Sequence, residues 1–483
     1  MNNFSKTFAS CALALSLAAS AQSSTPAEPW KKITVPPLHA FKPAEPKRIE
    51  LPNGLVVFLQ EDHELPFISG TILIRGGSRD EPASKTGLVS LYGDTWRTSG
   101  TATVDGDLLD DRLEAKAATI ETGGGIALTT MSWSSLKGDF DFVFASAVDL
   151  LLHPAFKQDK LQLARMQMEA GISRRNDDAS GIAARQAALL VYGPKSPYGR
   201  EAQYATVGAV TLADFKAWHD STVVPNNMII AVSGDFDSAT METKLRAAFG
   251  PLPKGKVVPK FKADFPGPKP GVYTVDKADV NQSNVIILGL GTERSNPDLY
   301  ALSVMNEIFA GGFGSRLFQN VRTKLGLAYS VGGSYGSSYD HPGVFEVSAS
   351  TKSASTVAAA QAMLEEIGRL KTVPPTADEL RKAKEDQLNS FIFRYDSPDK
   401  TLNEQVTLAF FGYPTDFLER YKAGIEAVTA ADVSRVANKY IDASKLAILV
   451  VGNQSEMKTP VSTLGKVTTL DITIPGSPKQ AQQ

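Results

Sequence analysis

Only one cysteine occurs in 483 residues, Cys11, and it lies inside the first 21. A chain trimmed of that segment has no thiol, hence no disulfide framework and no thiolate metal ligand. The five histidines, His39, His63, His153, His219 and His341, form no pair at helix or hairpin spacing, so they predict no zinc site of their own. Neither sign of charge prevails. Fifty Lys+Arg face 52 Asp+Glu, a formal net of -2, and no strongly basic domain is available for nucleic-acid phosphates. Long apolar runs are also missing, since none approaches the roughly 18 residues that a membrane-spanning helix needs. What is present is 42% hydrophobic and 21% charged residues, enough apolar material for two or three domain cores, which excludes a disordered or collagen-like chain.

The N-terminus reads as a processing signal. Lys6 supplies positive charge, Phe8 to Ala19 a short apolar run, and Ala19-Ser20-Ala21 a small-residue cleavage site. Residues 1–21 are expected to be removed before Gln22, which predicts an exported protein, periplasmic or secreted. Residues 22–46 are Pro-rich without a sustained period and are expected to form an extended arm.

Regular structure is expected from Lys47. Arg48–Leu51 and Leu55–Leu59 flank Asn53-Gly54, a hairpin signal, and an apolar strand follows over Phe67–Ile74. Helical periodicity covers 86–97, 138–152, 158–178 and 180–191. Between Pro251 and Gly271 the chain has six prolines, five lysines and three glycines, a composition that suits a solvated linker rather than a helix or central strand. Beyond it, helices are expected near 299–310, 313–324, 353–371 and 376–394, the last opened by a Thr376/Glu379 capping box. Ala209-Val210-Thr211-Leu212-Ala213-Asp214 recurs 218 residues later as Ala427-Val428-Thr429-Ala430-Ala431-Asp432, and the same spacing holds through to Gly234 and Gly452. A register kept through helix, turn and strand points to duplication. The expected fold is α+β: two homologous halves, 47–250 and 272–465, each a mainly antiparallel sheet covered by helices in a clamshell arrangement, with linker 251–271 between them and a tail 466–483.

The segment Gly70–Thr101, with its Gly77-Ser78-Arg79-Asp80-Glu81-Pro82 strand end, and Pro225-Asn226-Asn227-Met228 resemble the pitrilysin/insulinase family of zinc peptidases, including its mitochondrial processing peptidase-like bacterial branch. The resemblance covers roughly residues 46–465. Active members carry His-x-x-Glu-His on the helix beginning at Gly87-Leu88, with two ligands on one helix face and a general base between them. The matching positions here are Ser90, Gly93 and Asp94, so both histidines and the base are absent. A more distal family glutamate falls near Glu169. The resemblance therefore implies no metal in this chain.

The second half departs from that loss. Arg322 and Tyr329, seven residues apart, match the family's pair that reaches a zinc site in an opposing half, and Gly311, Gly312, Phe313 and Gly314 match a loop lining the substrate chamber. The resemblance implies a non-catalytic, substrate-binding subunit of a heterodimeric zinc peptidase. Its partner would be a similar-sized chain with intact His-x-x-Glu-His and the zinc, and its substrates peptides. The alternative is a catalytically dead scaffold or a peptide-binding protein of the same fold. A stand-alone peptidase would need an activated nucleophile, and neither a thiol nor a serine elbow is expected.

Overall fold

The computed structural model describes residues 44–262 and 264–476. The expected signal segment, nearly all of the arm, and the end of the tail from residue 477 lie outside the described residues. In the first half the chain runs β1 (Lys47–Glu50), β2 (Val56–Glu61), β3 (Phe67–Arg75), α1 (Leu88–Thr98), α2 (Gly106–Glu114), β4 (Thr119–Gly124), β5 (Leu128–Leu136), α3 (Phe140–Leu152), α4 (Gln158–Arg174), α5 (Ala179–Tyr192), α6 (Tyr204–Gly208), α7 (Leu212–Thr222), β6 (Met228–Gly234) and α8 (Ser238–Phe249). The second half continues with β7 (Gly271–Asp276), β8 (Gln282–Leu290), β9 (Thr292–Glu293), α9 (Leu299–Ala310), a π-helical segment (Phe318–Lys324), β10 (Ser330–Ser338), β11 (Pro342–Lys352), α10 (Thr356–Thr372), α11 (Ala377–Ile392), α12 (Pro398–Phe411), α13 (Phe417–Ala427), α14 (Ala430–Tyr440), β12 (Ala447–Gly452) and β13 (Val467–Thr469).

The first sheet has the strand order β1-β2-β6-β3-β5-β4. Its ladders are antiparallel apart from β2 with β6. The second sheet runs β13-β7-β12-β8-β11-β10-β9. Its long central ladders β12/β8, β8/β11 and β11/β10 are antiparallel, and β13/β7, β7/β12 and β9/β10 are parallel. The shared order β2-β6-β3-β5-β4 and β7-β12-β8-β11-β10 is the duplication made visible. Thr211 and Thr429 each close a capping box with the aspartate three residues on, and each capped helix leads into the central strand β6 or β12. Strand β3 alternates between exposed or half-buried and buried positions, as a strand with helices on one face should. Strands β6 and β12 are buried almost throughout, so both of their faces are covered.

The second cover comes from the opposite half. Ala179, Ile182, Ala183, Ala187 and Val191 of α5 pack on Ile286, Leu288, Ala447 and Leu449 of the second sheet. Reciprocally, Leu402, Val406 and Phe410 of α12 pack on Phe58, Ile229 and Ala231 of the first. Each sheet carries its own helices on one face and one helix of the other half on the opposite face.

Two expectations change. The linker is not simply solvated: Phe265 is buried, Phe261 and Phe265 lie edge-on to Tyr198, and Val258 N–H donates to Asn227 Oδ1. Aromatic burial outweighs the Pro/Lys composition there. The tail likewise begins as structure. Strand β13 joins β7, Asn176 Nδ2 donates to Ile472 O, and Ile474 enters the first half's core. A three-residue strand has too few positions to show a period in sequence.

Candidate functional site

Strand β3 ends at Arg75, and the Gly-Gly-Ser-Arg-Asp-Glu-Pro turn that follows is devoted to holding the molecule together. Asp80 Oδ2 accepts Gly77 N–H at 3.0 Å. The buried Glu81 accepts Gly87 N–H and Val89 N–H, each at 2.9 Å, and so caps the start of α1. Burial raises the Glu81 carboxyl above its ordinary value, outweighing those two hydrogen bonds. Arg79 crosses between the halves: its Nη1 donates to Asp340 at 2.7 Å and to Tyr198 Oη at 3.2 Å, and its side chain is 8% exposed. Burial alone would raise the Asp340 carboxyl, but hydrogen bonds from His341 and Arg79 hold it below the usual carboxylate range.

Helix α1 presents Ser90, Gly93 and Asp94 on one face, the i, i+3, i+4 pattern of a zinc helix. Ser90 is half-buried, Asp94 is exposed and Gly93 is buried against strand β4. A Cβ at position 93 would lie 2.4 Å from Gly124 N and 2.7 Å from Gly123 C. One at Gly124 would lie 2.1 Å from Val89 O. The absence of side chains at Gly93 and Gly124 thus permits this close helix–strand approach. Thr122 stitches the contact, donating its hydroxyl to Gly93 O at 2.7 Å and accepting Arg97 N–H at 3.2 Å. Glu169 is half-buried on α4, which packs against α1. A serine, a glycine and an aspartate do not fit a zinc ion, and the space a general base would need is filled by backbone. Among the described residues, no group of three or more His, Cys, Asp or Glu side chains is placed to hold a metal. The buried His219 is satisfied between Tyr92 Oη, 2.8 Å away, and Leu151 O, 3.0 Å away. Burial lowers its pKa to about 4, so it is neutral at physiological pH.

The Arg/Tyr segment is built differently. The expected α-helix over 313–324 is a π-helix from Phe318 to Lys324, in which Leu325 N–H reaches back to Asn320 O. Gly326, in the left-handed region at φ +62°, ends it, and Tyr329 N–H pairs with Ser350 O at the mouth of β10. Phe313, Phe318 and Arg322 form one stack: the two phenyl centroids are 4.9 Å apart and the Arg322 guanidinium lies 4.9 Å from the Phe318 ring. Phe313 is 75% exposed and Tyr329 78%. Arg322 and Tyr329 make no side-chain hydrogen bond with each other or with another described residue, which leaves their donors free. Gly311 is pressed against the half-buried Glu307 carboxylate, where a Cβ would lie 2.2 Å from Oε1, and Gln387 Nε2 holds that carboxylate at 2.6 Å. The loop and Arg322 therefore belong to one surface, through two phenylalanines of which Phe318 had no role in the sequence reading. A Gly-x-Ser-x-Gly spacing does occur, at Gly332-Gly333-Ser334-Tyr335-Gly336. It runs inside strand β10 with Ser334 opposite Glu346, not at a strand-to-helix turn, so it forms no nucleophile elbow.

Residues 209–386 match the family profile described as "Peptidase M16 inactive domain". An "uncharacterized zinc protease" of Rickettsia felis is 26% identical over 305 residues, 62% of this chain and 72% of that protein. The "non-peptidase homolog YmxG" of Helicobacter pylori is 23% identical over 410 residues, 83% of this chain and 93% of that protein. Among solved structures, a "peptidase M16 inactive domain" from Pseudomonas fluorescens covers 86% of this chain at a TM-score of 0.78 and 23% identity, with all of that chain aligned. A protease from Helicobacter pylori covers 85% at 0.74 and 19%, again over its full length. These two likenesses establish the fold.

Proposed function

We propose that this chain is a catalytically inactive member of the M16 (pitrilysin/insulinase) peptidase family, as its similarity to the M16 inactive-domain profile and to a non-peptidase homolog supports, and that it is the non-catalytic, substrate-binding subunit of a heterodimeric zinc peptidase. One asymmetry carries the reading. The zinc-motif positions of α1 are replaced and position 93 between them is closed by backbone, whereas Arg322 and Tyr329 are exposed with their donors unspent. Loss of constraint on a dead enzyme gives no reason for one half of the chemistry to be filled in and the other half kept open. The partner is a similar-sized chain with intact His-x-x-Glu-His, and the peptide chamber lies between the two chains. In it Arg322 holds the peptide backbone, and the Tyr329 hydroxyl donates to the scissile carbonyl oxygen as negative charge develops on it. Phe313 and the glycines around it line the entry. The export signal read at residues 1–21 supports an exported pair, periplasmic or secreted.

The test pairs this protein with a His-x-x-Glu-His subunit captured from the same cells and follows peptide turnover, zinc content and melting. Tyr329→Phe should reduce turnover by roughly 10²- to 10³-fold, the value of one oxyanion donor, and Arg322→Ala should reduce it through weaker hold on the peptide backbone. Zinc content and melting temperature should stay unchanged, because both side chains are exposed. Turnover unaffected by either change would leave the scaffold reading in its place.

A further inference from the structure

A cavity of about 740 Å³ opens where the end of β3, the linker and the end of α12 meet, so that both halves and the segment joining them wall it. Arg75, the last residue of β3, is half-buried there. Its guanidinium lies 4.4 Å from the centroid of the Phe410 ring, and it makes no hydrogen bond or ion pair with any described residue. The neighbouring Arg79 is taken up by Asp340 and Tyr198, and its buried Nε has only Asp80 Oδ2 at 3.8 Å, beyond hydrogen-bond reach. Lys260 and Lys262 of the linker add two exposed ammonium groups at the rim, likewise without a described partner. Three carboxylates also face the cavity. Asp340 is engaged by Arg79 and His341, and Glu293 accepts from Ser295; only Asp264 is left without a described partner.

The N–H donors of this half-buried guanidinium are therefore not taken up by any described residue and are open to a ligand. Phe410 already covers one face of that guanidinium, and what remains is its hydrogen-bonding edge. A carboxylate fits that edge with two parallel hydrogen bonds. Phe261 and Phe411 extend the wall beyond Phe410 with apolar surface, which a bare inorganic anion would leave unused. We propose that this cavity binds the C-terminal end of a short peptide, with Arg75 as the bidentate anchor for its carboxylate, Lys260 and Lys262 adding charge, and Phe261 and Phe411 packing its apolar body. The site is independent of Arg322 and Tyr329 and needs no partner chain to be read.

Calorimetric titration of the isolated protein with hippurate, hippuramide and inorganic phosphate tests this. Hippurate couples a carboxylate through one amide to a phenyl ring, and hippuramide lacks only the charge. Saturable hippurate binding, weakened at least about tenfold on removing its charge or substituting phosphate, is the expected result. Arg75→Ala should produce a loss of the same size, and Arg75→Lys a smaller one. Lys260→Ala/Lys262→Ala, a change on exposed linker positions, should weaken binding with no change in melting temperature and covers the case in which the Arg75 variants fail to fold. Absence of saturable hippurate binding, equal binding of hippuramide, phosphate binding as tight as hippurate, or affinity unaffected by Arg75→Ala would each overturn the assignment.

Discussion

Gly93→Ala should destabilise this protein, although the same change inside an unencumbered helix stabilises by about 1 kcal/mol. The opposing quantity is steric. A Cβ at position 93 would stand 2.4 Å from Gly124 N and 2.9 Å from Gly123 Cα. Unbonded heavy atoms rest near 3.5 Å, so α1 and β4 must part by about 1 Å. Helix α1 cannot yield cheaply, because Val89, Leu91, Tyr92 and Trp96 are fully buried beneath it and an interior this dense transmits the displacement. Overpacking of this kind costs about 1–3 kcal/mol, which outweighs the propensity gain. Glutamate at the same position adds a carboxylate to the displaced volume. Thermal melting decides the sign for Gly93→Ala, at about 2–4 °C per kcal/mol for a domain of this size. The triple change Ser90→His/Gly93→Glu/Asp94→His, which rewrites the zinc motif, should melt lower still and carry no stoichiometric zinc by metal analysis. A Gly93→Ala protein that melts higher, or a triple variant holding one zinc at unchanged stability, would refute the steric argument.

Other expectations follow from contacts between and within the halves. Arg79→Ala and Asp340→Ala should each cost ~3 kcal/mol, since either change strands a largely buried charge. A double-mutant cycle measured by denaturant unfolding should return a coupling of about 1–3 kcal/mol rather than additivity. Acid should loosen the second half first. Asp298 is held at about 2, chiefly by its hydrogen bond from Lys439 with further ones from Tyr440 and Arg435. Glu379 is held at about 2 chiefly by Arg316, which grips both of its oxygens at 2.7 and 2.9 Å. Both values lie below the unfolded-state range near 4, so their stabilisation is complete above about pH 4.5 and is lost as pH falls towards 2. Arg316→Ala and Lys439→Ala should therefore move the acid transition, followed by near-ultraviolet circular dichroism, to higher pH; an unmoved transition would exclude these pairs as its cause.

The parts of the fold legible in sequence were those fixed locally. Asn53-Gly54 does turn β1 into β2, and Thr211/Asp214 and Thr429/Asp432 do cap equivalent helices 218 residues apart. The exchange of α5 and α12 was not legible, because an alanine-rich face such as Ala179, Ala183 and Ala187 states that a helix is buried without stating against which sheet. At the site, the loss of three zinc-motif residues could be read directly from Ser90, Gly93 and Asp94. The closure of the space beside them could not, since it depends on Gly123 and Gly124 arriving from another strand. Arg79 carried the family resemblance, yet its partner Asp340 lies 261 positions away, and no local pattern links the two. Nor does a hydrophobic period announce a π-helix, so Phe318 and its contact with Arg322 emerged only with the backbone path.

The traded helices impose a timetable on synthesis. While the carboxyl-terminal half is still being translated, the first sheet lacks Leu402, Val406 and Phe410, and Phe58, Ile229 and Ala231 have nothing to pack against on that face. Its helical side is also incomplete until Ile474 arrives, after every strand and helix of the second half. The amino-terminal half consequently cannot settle into its final state ahead of the rest, and a nascent chain presents this bare apolar face from the completion of β6 until α12 has been made. Such a chain depends on being kept from aggregation until α12 has been made.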